Sequence, residues 1–311
     1  MGKMDIPMLL IMGCTAGGKG RLAFELARRL TGEILSIDSM KVYRGMDIGT
    51  AKPSRQVMDA IRHHLIDVVE PHESFSLGRY LELAQEAIAS LQENNCPIIA
   101  VGGTAMYIKG LLEGIFDGPA ADLKLREGLK EQAAVLGLGR LHERLRQVDP
   151  SAADRIHPND ARRIIRALEV YELTGRPISS YQRQFDSGRF QYNWRLIGLR
   201  RQKEDLSRRI NLRVKNMIEQ GLVGEVESLL ARPFPLSPQA SVAVGYSEII
   251  DYLAGRLTLE QAIEKIKINT RRLAKGQRTW FRRFPAVEWF DVAADDTADG
   301  LADEVMHRLN L

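Results

Sequence analysis

Short apolar runs recur along the first third of the chain: IPMLLIM from residue 6, EILSID ending at Asp38, and PIIAVGG ending at Gly103. Runs with little polar alternation, set between helical patterns, belong to a parallel sheet covered on both faces. Between them RLAFELARRL carries apolar residues at helical spacing, and residues 76–94 open on Ser76 as N-cap with Leu81, Ala84, Ile88 and Leu91 along one face. This third of the chain therefore predicts a doubly wound α/β arrangement.

After Gly118 the period changes to helix upon helix, at 123–137, 139–149 and 159–175, the first and last closed by Gly137 and Gly175 and the last opened by Asn159 and Asp160. WRLIGL at 194–199 returns to the sheet pattern, and two long helical stretches, 203–231 and 258–284, follow it. The expected fold is a P-loop α/β core, a parallel sheet flanked by helices, made of residues 1–117 and 192–311 and carrying a helical insertion at 118–191. A chain of 311 residues is long enough for such a core and a smaller unit.

Composition narrows the environment. With 44% hydrophobic and 27% charged residues the chain reads as globular, and it has no uncharged segment of membrane-spanning length. Asp5 and Pro7 interrupt the start, so no signal peptide is expected, and two cysteines, Cys14 and Cys96, suit a reduced cytoplasmic protein. The net charge of +4 is unevenly spread: 15 Lys/Arg against 6 Asp/Glu from Arg155 to Lys215, and 8 against none from Lys265 to Arg283. Beyond Phe284 the sign reverses, with 7 acids and one Arg. Such segregation predicts a face for a polyanion.

The chemistry starts at Gly13-Cys14-Thr15-Ala16-Gly17-Gly18-Lys19-Gly20, a G-x-x-x-x-G-K spacing between a strand and a helix. Loop amides and a helix N-terminus converge on an anion there, and Lys19 adds a full positive charge. The hydroxyl that usually follows the lysine and ligates Mg²⁺ is replaced by Gly20, which has no oxygen to offer, so the metal ligands stay unassigned. No apolar strand ends in an aspartate of the sort that holds Mg²⁺ in ATP-hydrolysing proteins. The loop is expected to hold a pyrophosphate rather than to drive ATP hydrolysis.

A second motif, DSMKVYRGMDIGTAKP from Asp38 to Pro53, closely resembles the signature that follows the phosphate loop in tRNA dimethylallyltransferases. Further segments resemble that family in order: VGGTAMYIKGL at 101–111, HPNDARRIIRALEVYELTGRP at 157–177, AVGYSEI at 243–249 and TRRLAKGQRTWFRR at 270–283. The resemblance implies transfer of a dimethylallyl group from dimethylallyl pyrophosphate to N6 of the adenosine immediately 3′ of the anticodon, with Mg²⁺ as cofactor and the tRNA anticodon stem-loop as partner.

Carried onto this chain, the resemblance makes Asp38 the general base, with Thr104 and Lys19 also in the catalytic set. Ser39, Met40, Lys41, Arg126, Arg162, Arg163, Ile164, Ile165, Arg166 and the run Ala243, Val244, Gly245, Tyr246, Ser247, Glu248 fall at tRNA-contacting positions. Arg278 and Arg282 are placed against pyrophosphate or tRNA, and Trp280 and Phe281 are read as core packing before base stacking. The chain departs from the family pattern at Gly17, Gly20, Lys41 and Gly276, where a serine, a hydroxyl residue, a glutamine and an arginine are usual. Two alternatives follow: a catalytically weakened tRNA-binding homologue, and an adenylate dimethylallyltransferase. A monomer is expected.

Overall fold

The apolar runs pair side by side. The computed structural model describes residues 6–114, 118–119, 122–181, 192–284 and 286–311. Its first elements are β1 (Met8–Gly13), α1 (Lys19–Leu30), β2 (Glu33–Ile37), α2 (Arg55–Ala60), β3 (His63–His64), α3 (Leu77–Glu93), β4 (Ile98–Gly102) and α4 (Ala105–Glu113). A run of helices follows: α5 (Leu123–Leu136), α6 (Leu138–Val148), α7 (Pro150–Arg155), α8 (Ala161–Thr174) and α9 (Ile178–Tyr181). The chain then forms β5 (Arg195–Arg200), α10 (Lys203–Glu219), α11 (Leu222–Leu230), α12 (Pro238–Ser241), α13 (Tyr246–Leu253), α14 (Leu259–Phe281), β6 (Val287–Asp291) and α15 (Ala298–Leu309).

Six strands make one sheet in the order β3-β2-β4-β1-β5-β6, parallel at every pairing. β1 is buried along its whole length, as a central parallel strand must be. Its Leu9 and Ile11 pack with Leu22 and Leu26 of α1, Ile197 of β5, Phe290 of β6 and Val305 of α15. Full burial of each such side chain contributes about 1.5–3 kcal/mol.

Two features differ from the sequence expectation. The helical stretch 203–231 is two helices, α10 and α11, because Gly221 takes a left-handed conformation with φ 95°. The acidic end of the chain adds a sixth strand and a helix that the hydrophobic pattern did not announce. Arg29 of α1 meets Asp299 and Asp303 of α15, each at 2.5 Å, and Arg308 meets Glu288 of β6 at 2.8 Å. The acids near the end thus neutralise the outer face of the sheet unit.

The chain divides into two compact units, Met1–Leu112 with Tyr192–Leu311, and Glu113–Gln191. The second has its own core of Leu129, Leu141, Leu145, Ile164 and Leu168. Within it Glu169, fully buried, accepts from the Asp122 amide at 2.8 Å and pairs with Arg126 at 2.9 Å and Arg166 at 2.6 Å. A buried carboxylate needs such donors. No helix among the described residues is long and apolar enough to cross a membrane.

Candidate functional site

Three loops meet at the carboxyl ends of the adjacent strands β2, β4 and β1, the edge where open parallel sheets bind ligands. Asp38 follows β2, Gly103 and Thr104 follow β4, and the glycine-rich loop follows β1. The strands approach so closely here that a Cβ at Gly102 would sit 2.0 Å from the Ile37 carbonyl oxygen. Thr104 ties two of the loops: its Oγ1 accepts from the Ser39 amide at 3.1 Å and lies 3.4 Å from Ser39 Oγ. Asp38 Oδ1 accepts from the amides of Met40 at 2.9 Å and Lys41 at 3.3 Å. Oδ2 has no hydrogen-bond partner among the described residues.

The glycine-rich loop turns through left-handed backbone at Ala16 (φ 59°) and Gly18 (φ 101°). Its carbonyl oxygens are occupied, two of them from outside the loop. Cys14 O accepts from the Gly17 amide at 3.1 Å and from Lys19 Nζ at 2.7 Å. Arg209 Nε donates to Ala16 O at 2.9 Å, and Arg201 Nε to Gly17 O at 3.0 Å. Gln277 of α14 bridges the loop to β4, accepting from the Thr15 amide at 2.8 Å and donating to Gly103 O at 2.9 Å.

This bridge removes the Thr15 amide from the phosphate-binding set expected from the sequence. The amides of Ala16, Gly18, Lys19 and Gly20 remain without partners among the described residues, at and just before the start of α1, a natural anion cradle. Burial pushes the Lys19 amine down to about 8, helped by the like charges of Lys41 and Arg213 and opposed by Cys14 and Asp38. The Cys14 thiol, raised by burial, donates to Ala274 O at 3.3 Å and lies near Arg278.

Thr15 to Gly20, Asp38, Ser39, Lys41, Gly103, Thr104, Arg209, Arg213 and Gln277 line one cleft of about 1490 Å³. Six Lys/Arg side chains face it against two carboxylates, Glu25 and Asp38, so its charge is strongly positive. Some of these charges are held elsewhere: Lys52 by Tyr43 O at 2.6 Å and by Asp47 and Asp67 at 2.5 Å each, Glu25 by Arg28 at 2.9 Å. Lys41 Nζ has no hydrogen-bond partner among the described residues. Among the described residues Arg213 has a single long hydrogen bond, to Thr50 O at 3.4 Å. Burial lowers the pKa of both side chains, and the Asp38 carboxylate opposes it.

The remaining sequence candidates divide by role. Ala243, Val244 and Tyr246 reach the cleft wall. Tyr246 is buried, and its hydroxyl donates to Glu225 Oε1 at 2.5 Å. Glu248 is also buried, accepting from the Gly245 amide at 2.7 Å, Ser247 Oγ at 3.0 Å and Asn269 at 2.6 Å, so its carboxylate frames the turn instead of meeting a ligand. Trp280 faces the cleft, a correction to its reading as core, whereas Phe281 is buried. Arg278 is half-buried and Arg282 exposed.

In the helical unit Arg162 and Arg163 are exposed, while Arg126 and Arg166 are engaged by Glu169. Ile164 and Ile165 are buried in that unit's core, so their side chains have no surface to offer tRNA. Sequence reasoning missed Glu225, Arg201, Arg209 and Arg213, which act on loops far away in the chain. Glu225 accepts from the amides of Asp47 (3.0 Å), Ile48 (2.8 Å) and Gly49 (3.3 Å).

These residues do not fit a divalent cation held by the protein. No group of three or more His, Cys, Asp or Glu side chains among the described residues forms a metal cluster. Gly20 offers no oxygen, nothing lies within 4 Å of where its Cβ would be, and Asp38 stands among cations.

Known proteins resemble this chain in sequence and in fold. The chain is 45% identical over 290 residues to tRNA dimethylallyltransferase 2 of Geotalea uraniireducens, covering 93% of this chain and 94% of that one. Its fold resembles the tRNA isopentenylpyrophosphate transferase of Bacillus halodurans at TM-score 0.71 and 40% identity, covering 98% and 97% of the two chains. It also resembles a eukaryotic dimethylallyltransferase acting on tRNA at TM-score 0.84 and 26% identity, covering 98% and 79%. With residues 41–284 matching the model of the IPP transferase family, the chain belongs to that family of prenyl-transferring enzymes.

Proposed function

We propose that this protein transfers a dimethylallyl group from dimethylallyl pyrophosphate to N6 of the adenosine 3′-adjacent to the anticodon of tRNA, releasing pyrophosphate. The observation that carries the reading is one positive cleft holding unpaired loop amides and Lys19 beside the open Oδ2 of Asp38. An exocyclic adenine amine is a weak nucleophile because its lone pair is delocalised into the ring. Asp38 takes a proton from N6 as nitrogen bonds to the allylic carbon and the carbon–oxygen bond breaks. The departing pyrophosphate gathers charge against the amides of Ala16, Gly18, Lys19 and Gly20, the Lys19 amine and Arg213. Thr104 holds Ser39, and with it the Asp38 loop, in register with β4.

The exposed cations Arg162 and Arg163, and Arg272, Lys275 and Arg282 along α14, suit phosphates of an anticodon stem-loop. Trp280 at the cleft offers a surface for an extruded base. Because the cleft residues do not make a metal site, Mg²⁺ enters only as a counterion carried by pyrophosphate. Free Cys14 and Cys96 suit the reducing cytoplasm, and a monomer is the proposed working state. Incubation with dimethylallyl pyrophosphate and tRNA bearing consecutive anticodon-loop adenosines, followed by nucleoside mass spectrometry, should add one five-carbon unit. Transfer to free adenine nucleotides in preference to tRNA would make it an adenylate dimethylallyltransferase. Binding of tRNA with no added mass would make it a catalytically weakened homologue.

A further inference from the structure

The cleft poses a charge problem. Pyrophosphate is a dense anion, yet the loop position that commonly recruits a cation to it is Gly20, whose side carries no ligand atom. Lys41 also lines the cleft, its ammonium without a hydrogen-bond partner among the described residues, and Arg213 has only a long contact there, to Thr50 O at 3.4 Å. A desolvated cation left unpaired is costly unless a ligand completes it. Lys19, Lys41 and Arg213 all line the same cleft, and Asp38 lines it with them.

We propose that Lys41, together with Lys19 and Arg213, neutralises the pyrophosphate group in place of a protein-held metal ion, so that this chain binds diphosphate without Mg²⁺. The inference rests on the pyrophosphate reading of the cleft. It makes the departure at Gly20 and the departure at Lys41 one compensated change: a metal-recruiting hydroxyl is absent and a fixed cation is present. Lys41 is then a positioning and affinity residue for the donor, while bond making stays with Asp38. A fixed ammonium also leaves no exchangeable ion to be stripped from the leaving group.

Calorimetric titration of inorganic pyrophosphate into the full chain, in EDTA and in MgCl₂, tests this. The unsubstituted protein should bind in both buffers with affinities within about threefold of each other. Lys41→Gln should bind about tenfold more weakly in EDTA, the loss expected when one close, partly desolvated charge is removed, and Mg²⁺ should restore most of it. Lys41→Arg, which keeps the charge, should resemble the parent in EDTA. Gly20→Thr, for which the loop has room, combined with Lys41→Gln should bind tightly only with Mg²⁺. Thermal melts without ligand verify that each variant folds. The proposal is overturned if the parent needs Mg²⁺ for binding, or if Lys41→Gln and the parent bind alike in EDTA. Absence of pyrophosphate binding in both buffers would instead overturn the diphosphate reading itself, and this proposal with it.

Discussion

The two loops that face each other across the cleft are held by opposite means. The glycine-rich loop is gripped by its carbonyl oxygens: Arg201, Arg209 and Lys19 each take one, and Gln277 anchors the Thr15 amide. With these carbonyls occupied, four amides are left without partners among the described residues. The segment after β2 is gripped by its amides, with Glu225 accepting from residues 47, 48 and 49 and Asp38 accepting from Met40 and Lys41. What remains open there is a carboxylate oxygen and an ammonium. The lesson is that each loop is fixed through the groups it does not present to the ligand. Cations shape the anion cradle, and a carboxylate shapes the segment carrying Lys41.

The comparison breaks most severely where both loops share a support. Gly102→Ala would drive a methyl into the Ile37 carbonyl oxygen at 2.0 Å. We expect a loss of about 3 kcal/mol or more in denaturant unfolding, and no measurable transfer. Next come the two anchors, substituted one at a time. Glu225→Ala strands three amides and the Tyr246 hydroxyl and should lower stability by about 2–3 kcal/mol, raising the KM for tRNA more than that for the donor. Gln277→Ala strands one amide and one carbonyl and should cost about 1–2 kcal/mol, raising the KM for dimethylallyl pyrophosphate first. Equal effects of both anchors on both KM values would show that the loops are not separately held.

A pH series sharpens the contrast. Lys19 titrates near 8 in the folded protein against 10.5 for an unburied lysine. Affinity for a non-hydrolysable diphosphate donor analogue should be level below that pH and fall by up to about tenfold per unit above it, as the cation is lost. Stability should move the other way. Between 8 and 10.5 the unfolded chain binds more protons at this site than the folded one, so this group's contribution to unfolding free energy rises with pH. Titrating affinity and chemical denaturation over the same range separates the two. The smallest expected effect is at Gly276, exposed on α14 with nothing within 4 Å of its missing Cβ. Gly276→Ala should raise stability by about 1 kcal/mol and leave the KM for the donor unchanged.

What the sequence made legible follows from the range of the interactions. β1, β2, β4 and β5 are buried apolar runs, and α1, α3 and α14 carry their apolar stripes at helical spacing, so local pattern sufficed. β3 is only two histidines long and cannot announce itself. β6 has just one fully buried residue, Phe290, which made it look like tail. At the site, the loop residues and Asp38 stood out because their own spacing carries the chemistry. Glu225 and Arg209 could not, because an ordinary helix-surface acid or base becomes a loop anchor only through contacts nearly two hundred residues away. The burial of Ile164, Ile165 and Glu248 likewise depends on packing that a motif does not encode.

Arg201 reaches beyond the cleft. Besides the Gly17 carbonyl it pairs with Asp205 at 3.0 Å and donates to Ala293 O at 2.6 Å, just past β6. With Gln277 holding Thr15, the shape of a loop made among the first twenty residues is set by segments synthesised some 260 to 280 residues later. During translation the sheet strands and the loop's own residues are present long before the cradle they form can exist. The loop therefore cannot take this shape until α14 and the segment after β6 have folded back onto it.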